Sequence, residues 1–161
     1  MRTFEECSNE YERTLVARIA EGQWQITSVF GTKEDPITFA YTIGLTALFD
    51  HPEILTIGPD SENAAHYLNS CAHAVKEQGK VFAPQNFYPN ILVDLQIFMT
   101  EASLQAREEY TLSCNWFYGG TDYPLLQCIW PSNKGFWPWD EHAWDDYKSM
   151  QPVYGMPPSV N

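Results

Sequence analysis

A chain of 161 residues, 44% of them hydrophobic and 15% aromatic, is long enough for one domain with a proper core. Its net charge of −12 excludes the lysine and arginine stripes that grip a nucleic-acid backbone and argues against adhesion to anionic lipid. The acids outnumber the bases in both halves, with no detached acidic tail, a balance that serves solubility or attracts a basic partner.

The polar start, MRTFEECSNEYERTL, does not read as a secretory leader, and no apolar run is long enough to span a membrane, so a cytoplasmic protein is expected. Cys7, Cys71, Cys114 and Cys128 form no C-x-x-C pair and lie at no zinc spacing from a histidine. They are expected to be reduced thiols that pack as small hydrophobes, and neither a metal nor a cofactor is expected.

In chain order, Ser8 as N-cap and the spacing of Tyr11, Leu15 and Ile19 predict a helix over 8–21, stopped by Gly22. Trp24 to Phe30 reads as a strand with Trp24, Ile26 and Phe30 on one face, and GTKEDP as the turn after it. From Thr38 the side chains alternate, with Phe39, Tyr41, Ile43 and Leu45 on one side and Thr38, Ala40, Thr42 and Gly44 on the other. Period two marks a strand, here bulky on one flank and bare on the other, and the bare flank suits a docked helix. Ala47 to Pro52 makes a corner, and Glu53 to Ile57 a short third strand.

Ser61 as N-cap opens a helix over about 61–78 with Ala64, Leu68, Cys71 and Val75 as its apolar stripe, and Gly79 ends it. His66 and His73 fall on its other face and read as solvated. PQNFYPN is a loop, Ile91 to Met99 a strand, Glu101 to Asn115 a helix, and Pro124 to Trp130 a buried strand. The fold class is α+β: a mostly antiparallel sheet of about five strands with two or three helices packed on one face. One domain spans 1–161, with a core over about 8–140 and an irregular, proline-broken segment over 141–161 that wraps the surface.

Three constellations could carry chemistry. His51 and Glu53 flank Pro52 near the hydroxyls of Thr42 and Thr46, a base and an orienting acid or else a corner fixed by polar caps. Gln127 is an amide in an apolar strand, which must find partners in the chain or read a ligand. Trp130, Phe136, Trp137, Trp139 and Trp144 sit among Asp140, Glu141, Asp145 and Asp146, a pattern that suits a lid over the core, a cation-binding surface or a protein interface. There is no G-x-x-x-x-G-K, G-x-G-x-x-G, H-E-x-x-H or G-x-S-x-G.

The segments EGQWQITSVFG, FAYTIGLTALFDHPEILTIG and LLQCIWPSNKGFWPWD, followed by Gln151-Pro152, resemble in sequence and order a bacterial family of unknown function, DUF4262. Ser132 stands where that family commonly has an acid, and Trp137 where it commonly has Phe. The resemblance implies a shared fold but no activity, and it marks Tyr41, Thr42, Gly44, His51, Glu53, Gln127, Trp130, Gly135 and Trp139 as a pocket or a fold-holding set.

Charge, aromatics and missing motifs together lead to a non-catalytic acidic binding protein, such as an inhibitor or immunity protein that neutralises a basic protein. Its binding residues would be Tyr41, Gln127, Trp130, Trp137, Trp139 and Asp140. The alternative is a small enzyme or ligand-binding domain with His51, Glu53 and Gln127 around one pocket and Thr42 assisting.

Overall fold

The computed structural model describes residues 1–159, with a six-stranded sheet and six α-helices. The described chain runs from a 3-10 turn, Phe4–Glu6, into helix α1, Glu10–Ala20. Asn9, not Ser8, caps α1, its side chain accepting from the Glu12 N–H, and Ser8 donates back to the Glu12 carboxylate. Strand β1 is Gln25–Val29 and strand β2 is Phe39–Ile43. Helix α2, Leu45–Phe49, takes up the first half of the predicted corner, and strand β3, Glu53–Ile57, has the predicted bounds. Helix α3, Ser61–Gln78, also has its predicted bounds, but Asp60, not Ser61, is its cap, accepting from the Asn63 N–H, and Gly79 is left-handed at its end.

The middle of the chain departs from expectation in two places. The single strand predicted over 91–99 is a hairpin of β4, Asn86–Leu92, and β5, Leu95–Glu101, so the sheet has six strands rather than five. Val93 and Asp94 form its two-residue turn, with Asp94 at φ +57°, a conformation Asp tolerates. PQNFYPN, predicted as a loop, supplies most of β4. Pro89 is accommodated there because β4 is an edge strand with a register shift between Tyr88 and Leu92. The predicted helix over 101–115 is two, α4, Leu104–Glu109, and α5, Leu112–Tyr118. The break falls at Thr111, whose carbonyl and hydroxyl both meet the Tyr123 phenol.

Strand β6, Leu125–Ile129, completes the sheet in the order β1-β2-β3-β6-β5-β4. The β3–β6 pair is parallel and the other four pairs are antiparallel. Every residue of β3 and of β6 is buried, as a parallel pair at the centre of a covered sheet requires. The segment 141–161, expected to be irregular, holds one more helix, α6, Asp145–Met150. No proline falls between Pro138 and Pro152, so nothing interrupts it. The last two residues of that segment lie outside the described ones.

The helices cover both faces, not one. On one face Ala64, Leu68, Cys71 and Val75 of α3 pack on Ala40, Ile54, Leu126 and Cys128, so the bare flank of β2 does receive a helix. On the other, α1, α4 and α5 bring Leu15, Ile19, Ala106, Cys114 and Phe117 onto Tyr41, Ile43, Leu55, Ile57 and Leu125. The bulky flank of β2 needs its own cover, since each large side chain buried contributes about 1.5–3 kcal/mol. Leu45, predicted to share that flank, joins the α3 face instead, because Gly44 at φ +117° ends the strand. Phe30, predicted to share a face with Trp24 and Ile26, is 71% exposed, and Gln25 is buried instead.

Gly58 closes β3 at φ +108°, where a Cβ would lie 2.8 Å from the Trp130 ring and 2.9 Å from the Met150 carbonyl. Gly79 is also left-handed, at φ +63°, with open space around it. Gly58→Ala is therefore expected to lose at least about 2 kcal/mol, from strain plus overpacking, and Gly79→Ala only about 1 kcal/mol. Urea unfolding of the two variants measures the difference, and equal losses would contradict the packing at Gly58.

Candidate functional site

The strongest concentration of polar groups is around Glu53, which is wholly buried. One carboxylate oxygen accepts from the Thr42 hydroxyl at 2.8 Å and the Leu45 N–H at 3.1 Å. The other accepts from the Gly44 N–H at 2.9 Å, the Thr46 N–H at 3.3 Å and the Tyr118 phenol. The start of α2 leaves N–H groups with no partner within the helix, and Gly44 has no side chain to cap them. Glu53 reaches over from β3 and performs that task. Burial pushes its carboxyl above the ordinary carboxylate range, and the Tyr118, Gly44, Thr42 and Thr46 bonds oppose that push. The Thr42 oxygen itself accepts from the Ile54 N–H, so its proton is directed to Glu53. Every group facing the carboxylate is a donor, and the site is built for an anion.

His51 is also buried, and both ring nitrogens are engaged. Nε2 accepts from the Phe82 N–H at 3.0 Å, which fixes the proton on Nδ1, 2.8 Å from the Pro52 carbonyl. Burial lowers its basicity. His51 thus holds the chain after α3 against the corner before β3, on the α3 face, with its ring edge-on to Phe82.

Gln127 lies on the other face. Its amide donates to the Pro152 carbonyl at 2.8 Å and accepts from the Tyr154 N–H at 2.8 Å. Gln151 makes the reciprocal pair, accepting from the Trp130 N–H at 3.0 Å and donating to the Trp130 carbonyl at 2.9 Å. Two side-chain amides in this way imitate a strand pairing and bind residues 151–154 across the end of β6. The segment continues to Met156, whose carbonyl accepts from Thr100 and Gln85.

Tyr41 accepts from the Ser113 N–H at 3.1 Å and so meets the start of α5, and burial raises its phenol. Trp130 donates to the Ile57 carbonyl at 2.9 Å. Trp137 and Trp139 are half-buried and stacked, with centroids 5.5 Å apart, and their edges rest on Phe87 and Phe98. Asp140 caps this turn, accepting from the Trp137 N–H at 2.7 Å. Ser132 accepts from the Phe136 N–H at 3.1 Å. Trp144 stands apart, 59% exposed.

The structure therefore brings Thr42 and Glu53 together, sets His51 beside them on the α3 side, and keeps Gln127 on the opposite face. Two groups in these networks were not singled out from the sequence. Tyr118 bonds Glu53 from a separate helix and leaves no local pattern. Gln151 stands out in the sequence only as part of the Gln151-Pro152 pair, and its burial comes from the fold. Among the described residues no group of three or more metal-ligating side chains is gathered, and no helix is long and apolar enough to cross a membrane.

A family model described as a domain of unknown function, DUF4262, matches residues 18–144, and the chain belongs to that family. No curated protein and no solved structure matches it significantly.

Glu53→Gln places an NH2 group against N–H donors whichever way the amide turns. It is expected to cost about 3 kcal/mol or more, against about 1–2 kcal/mol for Tyr118→Phe, both by urea unfolding. A neutral Glu53→Gln would contradict the anion cap. For His51, the unfolded chain titrates near 6.5 and the folded one lower, so the unfolded chain takes up the proton first as pH falls. Stability owed to neutral His51 is full above about pH 7 and drains as pH drops through the folded value. His51→Gln, which keeps an acceptor near the Phe82 N–H, should show a shallower decline in melting temperature over that range. Parallel declines would contradict the assignment.

Proposed function

We propose that this chain is a non-catalytic acidic binding protein that neutralises a basic protein partner, as an inhibitor or immunity protein does. The observation that carries the reading is the exposed Trp144 among exposed Glu141, Asp145 and Asp146, in a chain of net charge −12. The Lys134 ammonium sits 5.7 Å from the centre of that ring, so the ring already accepts a cation from its own chain. Trp137 and Trp139 rest on Phe87 and Phe98 with Asp140 capping their turn, while Tyr41, Trp130 and Gln127 serve inside the fold. The pocket-based alternative gains less support, because His51 and Gln127 lie on opposite faces with their polar atoms engaged. An exposed aromatic with flanking charge is the usual centre of a charge-steered interface.

Affinity capture with the full chain is expected to recover a basic protein at about 0.05 M salt and to lose most of it at about 0.5 M. The Glu141→Gln, Trp144→Ala, Asp145→Asn variant should lose it at both, with an unchanged melting temperature. No basic protein recovered, or one retained equally by the folded variant, overturns the reading.

A further inference from the structure

The sheet has two edges, β1 and β4, and they are finished differently. β4 carries Pro89, which has no N–H to offer, and a register irregularity, both of which discourage an added strand. β1 has neither protection. From Gly22 to Gly31 the sequence GQWQITSVFG contains no charge and no proline, in a chain of net charge −12. Among the described residues β1 pairs with β2 alone, and the backbone of residues 24–30 bonds no other segment. Its outward N–H and C=O groups stand open as a template for another strand.

We propose that β1 is a homodimer interface, in which two copies of the strand pair antiparallel about a two-fold axis at Thr27. In that register Trp24 comes opposite the second copy's Phe30, Gln25 opposite its Val29, and Ile26 opposite its Ser28. Phe30 is 71% exposed and Val29 38% exposed. Trp24 lies beside a cleft of about 240 Å³ lined by Gln23, Asn69 and Lys76. Alternation puts Phe30 on the same sheet face as Trp24, and residues opposed in an antiparallel pair share a face. The exposed knob of each copy therefore arrives at the cleft of the other, twice over, and forms a cross-strand aromatic pair. Charge agrees with this register. Glu21 and Lys33, both exposed, stand equally far before and after Thr27, so opposite charges approach at each end of the paired strands. The closed two-fold uses up the β1 edge of both copies and leaves only the proline-bearing β4 edges outside, so no filament grows from it.

The salt response separates this interface from the acidic patch. Two copies of −12 repel at long range, so added salt strengthens the dimer, whereas it weakens a complex with a basic protein. Sedimentation equilibrium of the full chain should give twice the 18.5 kDa monomer mass, with tighter association at about 0.5 M than at about 0.05 M salt. Phe30→Glu should weaken association at least about tenfold. In a Cys7→Ser background, Thr27→Cys should form a disulfide-linked dimer under mild oxidation, because directly opposed residues fall within bridging distance, and Ser28→Cys should not. That cross-link decides the matter if Phe30→Glu fails to fold. A monomer at both salts, a dimer indifferent to Phe30→Glu, or a cross-link formed by the Ser28→Cys variant and not by the Thr27→Cys variant overturns the proposal. Amides of residues 25–29 that gain exchange protection only when a basic protein binds would assign the edge to that protein and overturn self-pairing.

Discussion

The carboxylate of Glu53 is the constraint on which the neighbouring elements depend. A strand that ends at Gly44 and turns at once into a helix leaves peptide N–H groups pointing inward, where water cannot reach them. A short side chain at the cap would satisfy one of them. Glu53 arrives from the adjacent strand and satisfies three, together with the Thr42 and Tyr118 hydroxyls. One buried anion in this way ties β2, α2, β3 and α5 into one corner. The pattern of Thr42, Gly44 and Glu53 is then a statement about how the fold turns, and any catalytic use would compete with it.

The second organising device is made of amides. β6 sits at the centre of the sheet but is supplied late in the chain, and the polar side chain of Gln127 would be costly in that setting without partners. The residues after α6 provide them, and Gln151 answers with the same chemistry directed at Trp130. The tryptophans that follow β6 lie over Phe87 and Phe98. The polar and aromatic residues that first suggest a pocket thus serve largely to fasten the last third of the chain over one face.

How far the sequence discloses this depends on the range of each interaction. Elements with a local signature were legible: the alternation of Phe39 to Ile43, the stripe of α3 with its Gly79 stop, and the short β3. The 91–99 stretch misled because Val93 and Asp94 keep the apolar alternation going while the backbone reverses, and only the lone Asp hints at the turn. The α4–α5 break is written in no proline or glycine; it depends on Tyr123, which reaches back to Thr111. Covering both faces required knowing that Leu55, Ile57 and Leu125 would lie beside Tyr41 and Ile43, a matter of strand order that periodicity cannot supply. The Glu53 corner was visible as residues and invisible as a network, since Tyr118 joins it from 65 positions away.

The bond between Gln127 and residues 152–154 has a bearing on how the protein is made. The ribosome delivers β1, β2 and β3 early, but the central slot beside β3 stays empty until β6 emerges, and the buried amide of β6 is unsatisfied until the segment past Gln151 follows it out of the exit tunnel. A nascent chain that has not yet released residues 152–154 lacks the partners of the Gln127 amide. Productive folding in that sense waits for residues 151–154, and chaperone dependence should be set by the time that passes between the synthesis of β6 and of that segment.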